Sequence, residues 1–214
     1  MHEASTSNAA PPTTAIATGW GTIFVLALLT NPGAVIGALA PTFVDAFVAR
    51  GMAVDNAARL GAAELFSIAV TLLFAPLVVN RWDRRILAFC AVIIGTAGQF
   101  GSVLVDDPIT IGAFRMLAGA GEGAVYALAV AAISSTDTPD RTFSVSVASN
   151  LITTTILLAM IVWFAKGSPA SAAMIVTGIF VADIQFWFLG YRARQLGKAL
   201  HPPRRRHQVA GAFP

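Results

Sequence analysis

At 214 residues, with 56% hydrophobic and only 12% charged side chains, the chain is too apolar for an ordinary soluble domain, which carries about 25% charged residues. Its net charge of +3 comes from arginines gathered in short polar links and a C-terminal tail, so the basic balance points to a membrane-facing charge bias and not to nucleic-acid binding. Cys90 has no second cysteine to pair with, and His2, His201 and His207 all sit in polar tails, which excludes a disulfide framework, a cysteine-based metal site and histidine chemistry at membrane depth.

Residues 1–18 are polar and rich in Ala, Ser, Thr and Pro, with one acid and no Lys or Arg. A secretory signal needs a positive start before a short apolar core, so this segment reads as a disordered cytoplasmic leader. Six predominantly apolar stretches follow, at 21–44, 58–79, 86–105, 109–133, 143–165 and 170–191. Each is near the ~20 residues needed to cross a bilayer, and each is continuous where an outer-membrane strand would alternate. The expected fold is an all-α membrane protein with a six-helix transmembrane bundle over 19–195 and a basic cytoplasmic tail over 196–214.

The first span is interrupted by Asn31-Pro32-Gly33, with Pro41 further on. Such a break either exposes backbone carbonyls to a cavity or is a packing kink; the sequence is equally consistent with both. Asp45 stands at the outer end of this span, and Glu64 is expected near the outer end of the second. The link Asn80-Arg81-Trp82-Asp83-Arg84-Arg85 joins the second and third spans as a tight charged turn. The turn Asp106-Asp107-Pro108 then breaks the chain before the fourth span.

The fourth span carries Arg115, Gly119, Gly121, Glu122 and Gly123 inside an apolar run. Charges at that depth are costly and usually mark a transport path, although a structural ion pair would look the same. Seven residues separate Arg115 from Glu122, placing them on nearly the same helix face roughly 10 Å apart along the axis. Gly119 and Gly123 form a small-xxx-small surface where a neighbouring helix can come close. The fifth span has a polar stripe of Ser144, Ser146, Ser149, Asn150, Thr153, Thr154 and Thr155, which either lines a path or bonds neighbouring helices. Lys166-Gly167-Ser168-Pro169 leads to a sixth span containing Asp183, read as structural.

Orientation follows from Lys and Arg. With the N-terminus inside, the inner side holds ten (Arg81, Arg84, Arg85, Arg141, Arg192, Arg194, Lys198, Arg204, Arg205 and Arg206) and the outer side three (Arg50, Arg59 and Lys166). That bias predicts cytoplasmic termini. Ala-rich composition and short links suit a bacterial inner membrane.

The 80–85 link resembles the loop between helices two and three of the major facilitator superfamily, whose pattern is Gly, three residues, Asp-Arg, any residue, Gly-Arg and then Lys or Arg. The basic positions match at Arg81, Arg84 and Arg85. The pattern's Asp falls at Asn80 and its glycines at Pro76 and Asp83. Arg115 with its glycine run is similar to a second element of the family. The resemblance covers roughly residues 20–195. It implies an N-terminal six-helix half of a secondary transporter that works by alternating access, with the 80–85 loop as an inner gate or latch. In the family, helices one and four line the central cavity, which makes Asp45 a candidate partner for Arg115 beside Glu122, although Asp45 stands close enough to the span's end to be simply interfacial.

A carboxyl whose surroundings alternate between apolar and arginine-paired can take up and release a proton. Glu122 is the first candidate for that role, then Asp45, then Glu64. The implied partners are a small solute, protons, the lipid bilayer and either a second copy or a second six-helix half. No cofactor or metal is expected. A membrane enzyme is disfavoured, since no nucleophile–base pair or metal cluster lies at membrane depth. The alternative is a non-transporting structural or regulatory subunit, or a fragment of a longer chain.

Overall fold

The computed structural model describes residues 19–79, 81–161 and 163. All regular elements in that range are helices: α1 (Trp20–Leu29), α2 (Asn31–Ala49), α3 (Val54–Val79), α4 (Arg84–Leu104), α5 (Pro108–Ser134) and α6 (Pro139–Met160). Five of them, α2 to α6, are long and apolar enough to cross a membrane, as a multi-pass membrane protein requires. At 1.5 Å per residue the 26 residues of α3 and 27 of α5 reach about 40 Å, more than the ~30 Å hydrocarbon core.

The first expected span is two helices, α1 and α2, and it runs on to Ala49. The division falls at Thr30, immediately before Asn31-Pro32. Pro32 occupies the first turn of α2, where its missing N–H leaves no intrahelical bond unmade. The Thr30 hydroxyl donates to the Ala27 carbonyl at 2.7 Å, closing the end of α1. Pro41 sits within α2 without ending it. α3 begins at Val54, so the link from α2 is only Arg50 to Ala53. That is shorter than the gap 45–57 between the expected first and second spans, because α2 runs on to Ala49 and α3 already starts at Val54. α6 starts at Pro139, four residues before the expected edge of its span.

α5 is the most enclosed span and packs chiefly against α3 and α4. Glycine makes this possible. A β-carbon on Gly123 would stand 3.0 Å from the Ile68 carbonyl oxygen of α3, and one on Gly119 would run into the Glu64 carbonyl. Gly121 faces the other way, onto the α4 backbone at Ala91 and Gly95. α5 therefore lies backbone-to-backbone with two helices at once.

Apolar side chains close the rest. Val35, Ile36, Leu39 and Phe43 recur at helical spacing along α2 and meet Ile68 of α3 and Leu157 of α6. Nearer the α2–α3 link, Phe47, Ala57, Leu60 and Ile111 form a second cluster. The outward face of α3 carries Phe66, Leu73, Phe74 and Leu77, as suits a helix bordered by lipid. The expected sixth span with Asp183, its preceding turn, the leader and the basic tail lie outside the described residues.

Candidate functional site

The polar centre of the bundle is a four-residue cluster from three helices: Glu64 on α3, Gln99 on α4, and Arg115 and Glu122 on α5. Each is no more than 2% exposed. Arg115 uses both terminal nitrogens, Nη2 in an ion pair with Glu64 Oε2 and Nη1 in a 2.7 Å hydrogen bond to Gln99 Oε1. The amide nitrogen of Gln99 donates in turn to Glu122 Oε1 at 2.6 Å and to Glu64 Oε1 at 3.2 Å. A fourth helix contributes through Phe43 of α2, whose ring centroid lies 4.3 Å from the Arg115 guanidinium carbon.

Local packing explains the convergence. Gly119 brings the α5 backbone onto the carbonyl of Glu64 itself. Ser67, one turn along α3, donates to the Met116 carbonyl at 2.6 Å. α3 and α5 are thus locked in the register that lets Glu64 meet Arg115. Ionised, the cluster holds one guanidinium and two carboxylates, an excess of one negative charge in a low-dielectric setting. Taking up one proton makes it neutral. Two of its atoms, Glu122 Oε2 and Arg115 Nε, are buried without a hydrogen-bond partner among the described residues. Gln99 joins both acids through one nitrogen, so proton occupancy at one carboxyl is felt at the other and at Arg115.

The expected site residues fall in five places. Arg115, Glu122 and Glu64 come together. Glu64 is not near the helix end as expected. Because α3 starts at Val54, Glu64 lies ten residues in, about 15 Å along the axis. Asp45 does not partner Arg115. It is on the exposed side of α2 and has no ion pair among the described residues, and α2 turns Phe43 toward the arginine instead. Gly119, Gly121 and Gly123 form the packing surfaces already described.

Asn150 lies elsewhere, at the α1–α2 break. The Thr30 hydroxyl reaches Asn150 Oδ1 at 3.2 Å and also meets the Ser146 hydroxyl, while Asn31 Nδ2 donates to Thr153 Oγ1 at 3.1 Å. The polar stripe of α6 thus ties that helix to the break in the first span. In the α3–α4 turn, Arg81, Asp83 and Arg84 are exposed. Asn80 lies outside the described residues, and so does the side chain of Arg85. Sequence reasoning missed Gln99. Its only signal is a single amide side chain deep in the apolar run 86–105. No group of three or more His, Cys, Asp or Glu that could hold a metal occurs among the described residues.

Compared with protein-family models, with curated proteins and with solved structures, the chain gives no match in any of the three.

Proposed function

We propose that this chain is a proton-coupled secondary transporter of small solutes, built like the N-terminal six-helix half of a major facilitator permease. The observation that carries the reading is the buried Glu64–Gln99–Arg115–Glu122 cluster. A purely structural ion pair needs one acid for one base. This cluster has a second acid, joined to the pair through an uncharged amide, which is what exchange of a single proton requires. Intramembrane ionisable groups of this kind are expected at ion and substrate pathways.

Three further features support the family reading. The helices are joined by short links in the order it calls for. The arginine and its glycine run lie on the fourth span, and a basic turn joins the second and third. The lysine and arginine bias favours cytoplasmic termini in an inner membrane. Transport would proceed by rocking of this bundle against a second one, a partner half or another copy of the chain. The exposed side of α2 is a suitable contact, since Gly37, Ala38, Pro41 and Asp45 lie along it and an acid there is better placed beside a polar cavity than beside lipid.

The test is uptake into liposomes carrying the purified chain under an imposed proton gradient, against a panel of labelled small polar solutes. Gradient-dependent accumulation of a solute that Glu122→Gln abolishes supports transport. No gradient-dependent flux, with correct insertion and a stable complex with another membrane protein, supports the non-transporting subunit instead.

A further inference from the structure

The α3–α4 turn follows Val78 and Val79, which line one end of an apolar groove. Its lining is Val70, Phe74, Ala75 and Val78 from α3, Leu87 from α4, and Ala124 and Leu128 from α5, among others, around a cavity of about 300 Å³. The rim is open, with Phe74 and Val78 exposed on the outer face of the bundle. The turn is fixed to the top of this groove by its own backbone: the amides of Arg81 and Trp82 both donate to the Val78 carbonyl, at 3.0 and 3.1 Å. Arg84 stands one helical turn from Leu87. It also lines a smaller apolar pocket of about 50 Å³, which shares Leu128 with the groove.

Arg81 and Arg84 are exposed and form no ion pair among the described residues. Trp82 beside them is also exposed, as suits a side chain at a membrane–water interface. Asp83 stands between the two arginines, so these three side chains carry a net charge of +1, at the end of an apolar slot about two and a half helical turns long. The slot faces a medium made of acyl chains. An arginine fork suits a phosphate, and the slot beneath suits a hydrocarbon tail.

We infer that this turn and groove hold one anionic phospholipid, its phosphate on Arg81 and Arg84 and one acyl chain between α3, α4 and α5. The bound lipid ties the basic turn to the leaflet and fills space that the side chains leave empty. Charge complementarity favours an anionic headgroup over a zwitterionic one. The inference needs the chain to be membrane-embedded, and it stands whether or not the chain transports anything.

Native mass spectrometry of the full chain tests it, using phosphatidylglycerol and phosphatidylcholine with identical acyl chains. One phosphatidylglycerol should stay bound per chain. The combined Arg81→Ala and Arg84→Ala variant should weaken it roughly 10- to 30-fold, the worth of two arginines at an anionic surface, while leaving phosphatidylcholine adducts unchanged. Ala75→Phe, which fills the groove, should reduce the adducts of both lipids. Val78→Trp, at the exposed rim, gives the same readout with less risk to folding. Equal retention of the two lipids, or full phosphatidylglycerol retention in the double variant, overturns the proposal. So does efficient competition by soluble glycerol phosphate, because the acyl chain would then contribute nothing.

Discussion

Gln99 of α4 donates a 2.6 Å hydrogen bond to Glu122 of α5, and this contact joins a second buried acid to the Glu64–Arg115 ion pair. Without it, Glu122 would be a lone buried acid two turns from Arg115. With it, the two carboxyls and the guanidinium share one hydrogen-bonded path, because the other end of the same amide accepts from Arg115.

The two acids should therefore respond differently to neutralisation. Glu64→Gln removes the carboxylate in direct contact with Arg115 and leaves only Glu122, reached through Gln99, to balance it; loss of the direct partner of a buried pair costs about 3–5 kcal/mol. Glu122→Gln keeps an acceptor oxygen for Gln99 and removes only the excess negative charge, so its stability should stay near that of the parent. Thermal unfolding of both variants in one detergent checks this. Comparable losses in the two would contradict the division of roles.

Packing of α5 against α3 gives a second expectation. Gly119→Ala drives a methyl into the Glu64 carbonyl, and overpacking of this kind costs about 1–3 kcal/mol. Gly37→Ala is the control, since its nearest neighbour would be the Leu65 side chain at 3.7 Å. Unfolding midpoints should separate the two, and equal midpoints would mean that α3 and α5 are not in backbone contact.

The α1–α2 break and α6 are held by hydroxyls. A double-mutant cycle on Thr30→Val and Ser146→Ala should give a coupling of about 0.6 kcal/mol, typical of interhelical hydrogen bonds in a bilayer. Zero coupling would show that the polar stripe of α6 faces elsewhere.

At the opposite end of the bundle, Asp107 caps α5. Its carboxylate accepts from the Thr110 hydroxyl at 2.7 Å and the Thr110 amide at 2.8 Å, and these bonds hold it below the ordinary carboxylate range. The folded form thus favours the ionised group. Its contribution is present above the unfolded carboxyl's titration and is lost as pH falls through the lower, folded value. Protection of the Thr110 amide, taken against its intrinsic exchange rate at each pH, should be high at neutral pH and fall only in strong acid. In Asp107→Ala it should be low at both.

The helices were legible because apolar runs are long, and Pro108 after Asp107 marked one break; Pro32 read only as an interruption within one span, and the start of α6 at Pro139 was missed because the polar residues after it hid the helix's first turn. Arg115 stood out because a full charge in such a run is rare. Its partner did not, because Glu64 is 51 residues away and the pairing depends on how α3 is rotated about its own axis. Asp45 and Glu64 look alike in an apolar sequence, and only packing turns one outward and the other inward. Gln99 carries no charge, so nothing in the sequence marked it as the residue joining both acids. The glycines of α5 were readable as a contact surface, but not that Gly121 serves α4 while Gly119 and Gly123 serve α3.

The central claim is that the cluster holds one exchangeable proton. Infrared difference spectroscopy of the lipid-reconstituted chain, recorded across a wide pH series, reads the C=O band of a protonated carboxyl directly. The account predicts one such band that changes with pH in the parent chain and is missing in Glu122→Gln. A parent chain with no titrating carboxyl band, or one whose band persists unchanged in Glu122→Gln, would contradict it.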